Sequence, residues 1–142
     1  MQIQAYLNFD GRCEEAIEFY KKALGAEVQV MMRFKDSPQP CPPGTLPAGA
    51  ENKIMHSTLR IGDATLMASD CHCKGQPAFQ GVSLSLTLGS DAQTERAFAA
   101  LSDGGKVAQP LSKTFFSSRF GVVNDRFGVS WMVLTMPQQQ TT

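Results

Sequence analysis

The sequence predicts an α+β fold made of two βαβββ modules, and three observations carry that prediction. The order strand, helix, three strands occurs twice, and 142 residues have room for two such repeats sharing one core. Val82, Leu84, Leu86 and Leu88 alternate with Ser83, Ser85 and Thr87, the period of a half-buried strand. Cys13, Ala16, Ile17, Tyr20 and Leu24 recur instead at i, i+3, i+4, i+7 and i+11, the period of one helix face. With 42% hydrophobic residues, among them nine Phe and seven Met, the chain can fill a core, which excludes disorder as its main state.

Taken in order, Ile3 to Phe9 reads as a strand, and Gly11 opens the amphipathic helix. Glu14, Glu15, Glu18, Lys21 and Lys22 form its polar face, Glu18 and Lys22 are an i,i+4 pair, and Gly25 stands where a left-handed cap is wanted. A strand from Glu27 to Phe34 leads into Lys35 to Asn52, which holds Pro38, Pro40, Pro42, Pro43 and Pro47 and reads as a functional or mobile loop. Two β-compatible runs then flank Gly62-Asp63, whose leading glycine suits a type II′ turn. The register pairs Ile61 with Ala64, Leu59 with Leu66, Ser57 with Ala68 and Met55 with Asp70 on an apolar face. Arg60 with Thr65, Thr58 with Met67 and His56 with Ser69 form the wetter face.

After a link from Cys71 to Gln80 the order repeats. The strand Val82 to Leu88 is followed by a helix capped by Ser90, with Gln93 three residues on and Ala97, Phe98 and Leu101 as its stripe. Gly104-Gly105 ends it, and strands are expected at Val107 to Leu111, Phe115 to Val123 and Val129 to Thr135, the last two joined by the turn formers of Asn124 to Gly128. The expected organisation is one domain over 1–136, with modules at about 1–75 and 80–136, loop 35–52 inserted in the first, and 137–142 as a frayed tail.

Thirteen basic residues balance thirteen acidic ones, so no excess positive charge is available for phosphates or anionic lipid, and neither nucleic acid nor a membrane is an expected partner. The opening MQIQAYLNFD lacks a basic n-region followed by an apolar h-region, and no apolar run approaches a membrane span, so a cytoplasmic protein is expected. Cys13, Cys41, Cys71 and Cys73 are read as reduced thiols, since a chain of this size needs no staples.

Phe19-Tyr20-Lys21-Lys22-Ala23-Leu24-Gly25 resembles the FY-x-x-xLG signature of the vicinal oxygen chelate superfamily, the glyoxalase I, bleomycin-resistance and extradiol dioxygenase fold. Asp125-Arg126-Phe127-Gly128 is similar to its D-x-x-G motif. Tyr6-Leu7-Asn8-Phe9, Leu59-Arg60-Ile61-Gly62, Met67-Ala68-Ser69-Asp70 and Phe127-Gly128-Val129-Ser130-Trp131-Met132 look like the PhnB-like branch. The resemblance implies a mixed sheet curled around a cup with helices on its outer face, commonly a homodimer. In the superfamily's enzymes it also implies a divalent metal held by four inward His, Glu or Gln side chains. Carried onto this chain, those positions are Ala5, Met67, one of Val82, Ser83 or Ser85, and Met132. None is a donor suited to a hard cation, so no metal and no cofactor are expected, and metal-dependent glyoxalase or dioxygenase activity is not supported. The ubiquinone-pathway methyltransferase label of PhnB-like sequences lacks its expected G-x-G-x-G loop after any strand.

The hairpin register puts His56 beside Met67, inside the cup if the resemblance holds, either as a partly buried hydrogen-bonded imidazole or as an acid-base group. Arg60 on the same face can receive a carboxylate or phosphonate through a bidentate fork, or form a rim salt bridge. With Ser69, Met132 and Phe116, these residues make the expected ligand cup: His56, Arg60, Met67, Ser69, Met132 and Phe116. Phe115, Phe116, Phe120, Phe127 and Trp131 are read as core with one subset lining the cup, Phe116 and Phe120 sharing a strand face. Asp70-Cys71-His72-Cys73 reads as a polar loop, because its spacing does not suit structural zinc. The leading expectation is a non-metal binder of a small, anionic, partly apolar molecule, or of a protein partner. The alternatives are a superfamily enzyme of lyase, isomerase or dioxygenase type, with a displaced metal site around His56, Asp70 and the Cys-His-Cys loop or with His56 acid-base chemistry, and a dimeric interaction module.

Overall fold

The 3.6-residue and 2-residue periods both become regular structure in a computed structural model of the chain, which describes residues 1–38, 48–70 and 78–137. Two units form, Met1–Ala78 and Phe79–Thr142. The first contains β1 (Tyr6–Asn8), α1 (Cys13–Leu24), β2 (Glu27–Arg33), β3 (Ile54–Ile61) and β4 (Ala64–Ser69). Its sheet has the order β1-β4-β3-β2, with β1 parallel to β4 and the other neighbours antiparallel. The second contains β5 (Ser83–Leu88), α2 (Asp91–Ser102), β6 (Lys106–Ser112), β7 (Phe120–Asn124) and β8 (Ser130–Thr135). Its order, β5-β8-β7-β6 with β5 parallel to β8, repeats the first. The sequence order strand, helix, three strands is therefore two copies of one βαβββ topology, each an open mixed sheet.

In the first unit Cys13, Ala16, Ile17 and Tyr20 of α1 are buried with Leu7, Leu59, Leu66 and Ala68. In the second, Ala97, Phe98 and Leu101 of α2 are buried with Val123, Trp131 and Val133. Each of the large aliphatic or aromatic side chains among them contributes about 1.5–3 kcal/mol on leaving water. Helix α1 ends on Gly25 in the left-handed conformation. The β3–β4 register is as the alternation predicts at Ile61–Ala64, Leu59–Leu66 and Ser57–Ala68. Gly62 takes φ 57° while Asp63 stays at negative φ, as a type II′ turn requires. Ser90 caps α2 by accepting the Gln93 N–H, and Gln93 returns its side chain to the Gly89 N–H.

The structure corrects four local expectations. Strand β1 begins at Tyr6, and Ile3 is 91% exposed. Glu18 pairs with Lys21, at 3.4 Å, rather than with Lys22. Met55 does not pair with Asp70: the Asp70 N–H donates to the Ile54 carbonyl and its carboxylate takes the Ile54 N–H, so Ile54 is the buried residue. The strand expected from Phe115 starts only at Phe120, because the Thr114 hydroxyl accepts the Phe116 and Ser117 N–H groups and bends the chain locally. Phe115 and Phe116 thus lie in the β6–β7 loop. The Pro-rich segment starts and ends in 3₁₀ turns at Phe34–Asp36 and Ala50–Asn52. Residues 39–47 with Cys41, 71–77 with the Cys71-His72-Cys73 run, and 138–142 of the expected tail lie outside the described residues. No helix among the described residues is long and apolar enough to cross a membrane.

Candidate functional site

In the first unit α1 covers one sheet face, where Cys13 meets Ser57 at 3.9 Å. Alternation turns the neighbours of Ser57 to the opposite face, so His56, Thr58 and Arg60 share it. Thr58 and Tyr6 both pair directly with Met67, and His56 pairs with Met32 on β2. His56 is half-buried and held at both ring nitrogens: Nδ1 lies 3.1 Å from the Tyr6 hydroxyl and Nε2 lies 3.2 Å from Thr58 Oγ1. A neutral imidazole donates at one nitrogen and accepts at the other, so the Tyr–His–Thr chain can hold one proton in either sense. The Tyr6 and His56 rings are tilted against each other with centroids 5.7 Å apart. Arg60 donates Nε to the Gly62 carbonyl at 3.1 Å, and its terminal amines make no hydrogen bond or ion pair among the described residues. Ser69 is nearly buried and donates its hydroxyl to the Met55 carbonyl at 2.7 Å, which ties β4 to β3.

The register also corrects the position carried over to β1. Leu7 pairs with Ala68 on the helix side, so Tyr6, not Ala5, shares the Met67 face. In the second unit Ser85 pairs with Met132 and Val122 with Met132, which settles Ser85 as the β5 residue level with Met132. The residues level with Met67 and Met132 on these strands are therefore Tyr6 in one unit and Ser85 in the other. A phenol hydroxyl engaged by His56, a serine hydroxyl and two thioethers do not fit a hard divalent ion. Among the described residues, no group of three or more His, Cys, Asp or Glu side chains converges.

Two buried aspartates have other work. Asp70 is fully buried, and its Oδ1 accepts the N–H groups of Gly11 at 2.9 Å and Cys13 at 2.7 Å, while Oδ2 accepts that of Ile54 at 2.7 Å. Helix α1 has Arg12 at its N-cap with no side-chain cap, so the carboxylate that follows β4 does that job from 57 residues away. Asp125 accepts from the Phe127 and Val129 N–H groups and from Trp131 Nε1, at 2.9, 3.1 and 2.9 Å, and so builds the β7–β8 turn. Burial, then the neighbouring Asp70 carboxylate, pushes the Cys13 thiol up to about 12, so this sulfur is no nucleophile.

Phe116 belongs to the second unit. It packs edge-on against Phe115 and Phe120, each with centroids 5.1 Å away, and lines a cleft of about 570 Å³ at the end of that sheet. The β5–α2 turn, the Lys113–Ser118 loop and the Thr135–Pro137 segment form the rest of the wall. There Asp91 Oδ1 accepts from Ser118 at 2.5 Å and Thr135 at 2.8 Å, and these hydroxyl donors hold its carboxyl below the usual carboxylate range. Sequence reasoning singled out none of Tyr6, Asp91 or Lys113. The Tyr6-Leu7-Asn8-Phe9 run gave a signal for the first, misread by one residue.

The fold this geometry defines is that of the glyoxalase/bleomycin-resistance class. A glyoxylase/bleomycin resistance protein/dioxygenase domain from Frankia sp. EAN1pec superposes with a TM-score of 0.66 over 96% of this chain and 95% of its own, at 10% identity. Within that class the chain belongs to the family described as 3-demethylubiquinone-9 3-methyltransferase, which it matches over residues 1–134. It is 42% identical to protein PA1353 from Pseudomonas aeruginosa, with a TM-score of 0.83 covering 97% of this chain and 99% of that one. A putative 3-demethylubiquinone-9 3-methyltransferase, PhnB protein, from Bacillus cereus is 28% identical, with a TM-score of 0.77 over 95% and 99%. Protein YjdN of Escherichia coli K12 is 33% identical, covering 99% of both chains. The family description implies a methyl-donor cofactor, yet the strand-to-helix links here, Phe9-Asp10-Gly11-Arg12 and Gly89-Ser90, carry no Gly-x-Gly pattern and belong to mixed four-stranded sheets.

Proposed function

We propose that the protein binds a small, anionic and partly apolar molecule on the Tyr6–His56–Met67 face, without a resident divalent ion. The observation that carries this reading is the donor set itself. Arg60 keeps its terminal amines open on the face where His56, Tyr6 and Thr58 form a hydrogen-bonded chain flanked by Met32 and Met67. A guanidinium fork takes a carboxylate or phosphonate in bidentate fashion, and the thioethers offer adaptable apolar contact beside it.

Calorimetry on chelator-treated protein with benzoate, phenylphosphonate and propionate tests this. At least one of the three is expected to saturate at one molecule per chain, and Arg60→Ala is expected to weaken it about tenfold or more, as loss of a charge-assisted pair does. Absence of saturable binding by all three, or binding indifferent to Arg60→Ala, overturns the reading.

A second reading rests on one specific observation, the hydroxyl at each nitrogen of His56. Such a chain can take a proton from a bound molecule and return it, so acid-base turnover at His56 is the alternative. It requires that the bound molecule be converted, and that His56→Asn abolish conversion while binding persists.

A further inference from the structure

The two units solve the same structural problem differently, and the difference leaves a cleft. In the first unit Ser69 pairs with Asn8, and the next residue, Asp70, turns its carboxylate onto Gly11, Cys13 and Ile54, closing the corner between strand ends and helix start. In the second unit Thr135 pairs with Leu88 in the same place, but the next residue is Met136, which is 59% exposed and has no carboxylate to offer. Among the described residues the corner stays open as the cleft of about 570 Å³, a volume in the range of small-molecule sites.

Its walls carry Lys113 and Asp91, which form no ion pair with each other; the Arg119 guanidinium, paired with Glu95, also acts on Asp91 from outside the lining. Lys113 makes no ion pair or hydrogen bond among the described residues. Asp91 is fixed at Oδ1 by Ser118 and Thr135, while Oδ2 has no hydrogen-bond partner among the described residues. The same cleft is lined by the apolar surfaces of Phe116, Met136 and Pro137. Phe116 is 37% exposed and is braced from behind by Phe120.

We propose that this cleft binds a small zwitterion with an apolar substituent, of the α-amino-acid type, its carboxylate on Lys113, its ammonium on Asp91 and its side chain against Phe116 and Met136. The cleft is built from residues of the second unit alone, none of which belongs to the His56 face.

The test uses backbone amide chemical shifts of the full chain. Phenylalanine is the probe, with phenylpropionate and phenethylamine as counterparts that each keep one of the two charges. Phenylalanine is expected to shift the Thr114, Ser118 and Thr135 amides saturably, and each counterpart to bind at least tenfold more weakly. Lys113→Gln, an exposed substitution that leaves the fold intact, and Asp91→Asn are each expected to weaken phenylalanine at least tenfold, while Arg60→Ala changes nothing here. Equal binding of phenylalanine and phenylpropionate assigns a simple anion site and overturns the proposal, as equal binding of phenethylamine assigns a cation site and does the same. Absence of saturable shifts at these amides, or indifference to Lys113→Gln, also overturns it. Loss of the benzoate or phosphonate response under Arg60→Ala bears only on the His56 face.

Discussion

Asp70→Ala should be the most destabilising polar substitution in the first unit. It strands three main-chain N–H groups, those of Gly11, Cys13 and Ile54, now held at 2.7–2.9 Å by a fully buried carboxylate. An orphaned buried donor costs roughly 1–3 kcal/mol, and a small cavity admits some water in compensation, so the expected loss is about 3–5 kcal/mol. Against a total of about 5–15 kcal/mol, that is a large share of the stability. With a urea slope of about 2 kcal/mol/M, the midpoint falls by roughly 1.5–2.5 M. Asp70→Asn keeps one acceptor oxygen and sets an amide donor against a donor, so it should fall between wild type and Asp70→Ala. Ser90→Ala, which removes an ordinary local cap in the second unit, should cost only about 1 kcal/mol. Urea denaturation followed by far-UV circular dichroism gives the free energies, and amide exchange shows whether Gly11, Cys13 and Ile54 lose protection first. A loss below about 1 kcal/mol for Asp70→Ala, with those three amides unchanged, would refute the assignment of this carboxylate as the cap of α1.

Four further outcomes follow from the same geometry. Cys13 should resist iodoacetamide at pH 8 in the folded protein and react once urea unfolds it, as residue-resolved mass spectrometry would show, because a thiol pushed up to about 12 carries almost no thiolate at that pH. The same upward shift from 9.0 means that the unfolded chain loses this proton first, so stability should decline between about pH 9 and 12, and Cys13→Ala should flatten that decline. Gly105→Ala should destabilise by about 1–3 kcal/mol in thermal unfolding, since an added Cβ would stand 2.3 Å from the Asn124 carbonyl oxygen and 2.9 Å from Asp125 backbone. Trp131→Phe, which leaves Asp125 Oδ2 without the indole N–H, should cost about 2–3 kcal/mol in urea unfolding; a change under 0.5 kcal/mol, roughly the scale of a neutral surface substitution, would contradict the reading of that bond.

Where a signal was local, the sequence carried it. The hairpin register needed only period-2 alternation and Gly62 between its arms, and the α2 cap needed only Ser90 and Gln93 three residues apart. The Asp70 cap escaped because donor and acceptor lie 57 and 59 residues apart, and nothing near Arg12 announces that its helix is capped from another strand. Tyr6 escaped because β1 is three residues long, too short for alternation to fix a face, so its orientation is set by parallel pairing with β4. Phe115 and Phe116 read as strand formers, but the Thr114 hydroxyl draws the Phe116 and Ser117 N–H groups into a competing turn, and the cleft that Phe116 lines became visible only through tertiary placement. The sharing of one face by His56, Thr58 and Arg60 was legible from the hairpin alone; Tyr6, which hydrogen-bonds His56, and Met32, which pairs with it, arrive from strands the hairpin does not contain.

The account turns on Arg60 receiving an anion on the His56 face with no ion between protein and ligand. Titrating chelator-treated protein with phenylphosphonate in a calorimeter, with and without added magnesium or zinc, tests it most directly. The expected isotherm saturates at one molecule per chain, is unchanged by either metal and weakens at least tenfold with Arg60→Ala. Heat that appears only after one equivalent of divalent ion has been added would contradict it.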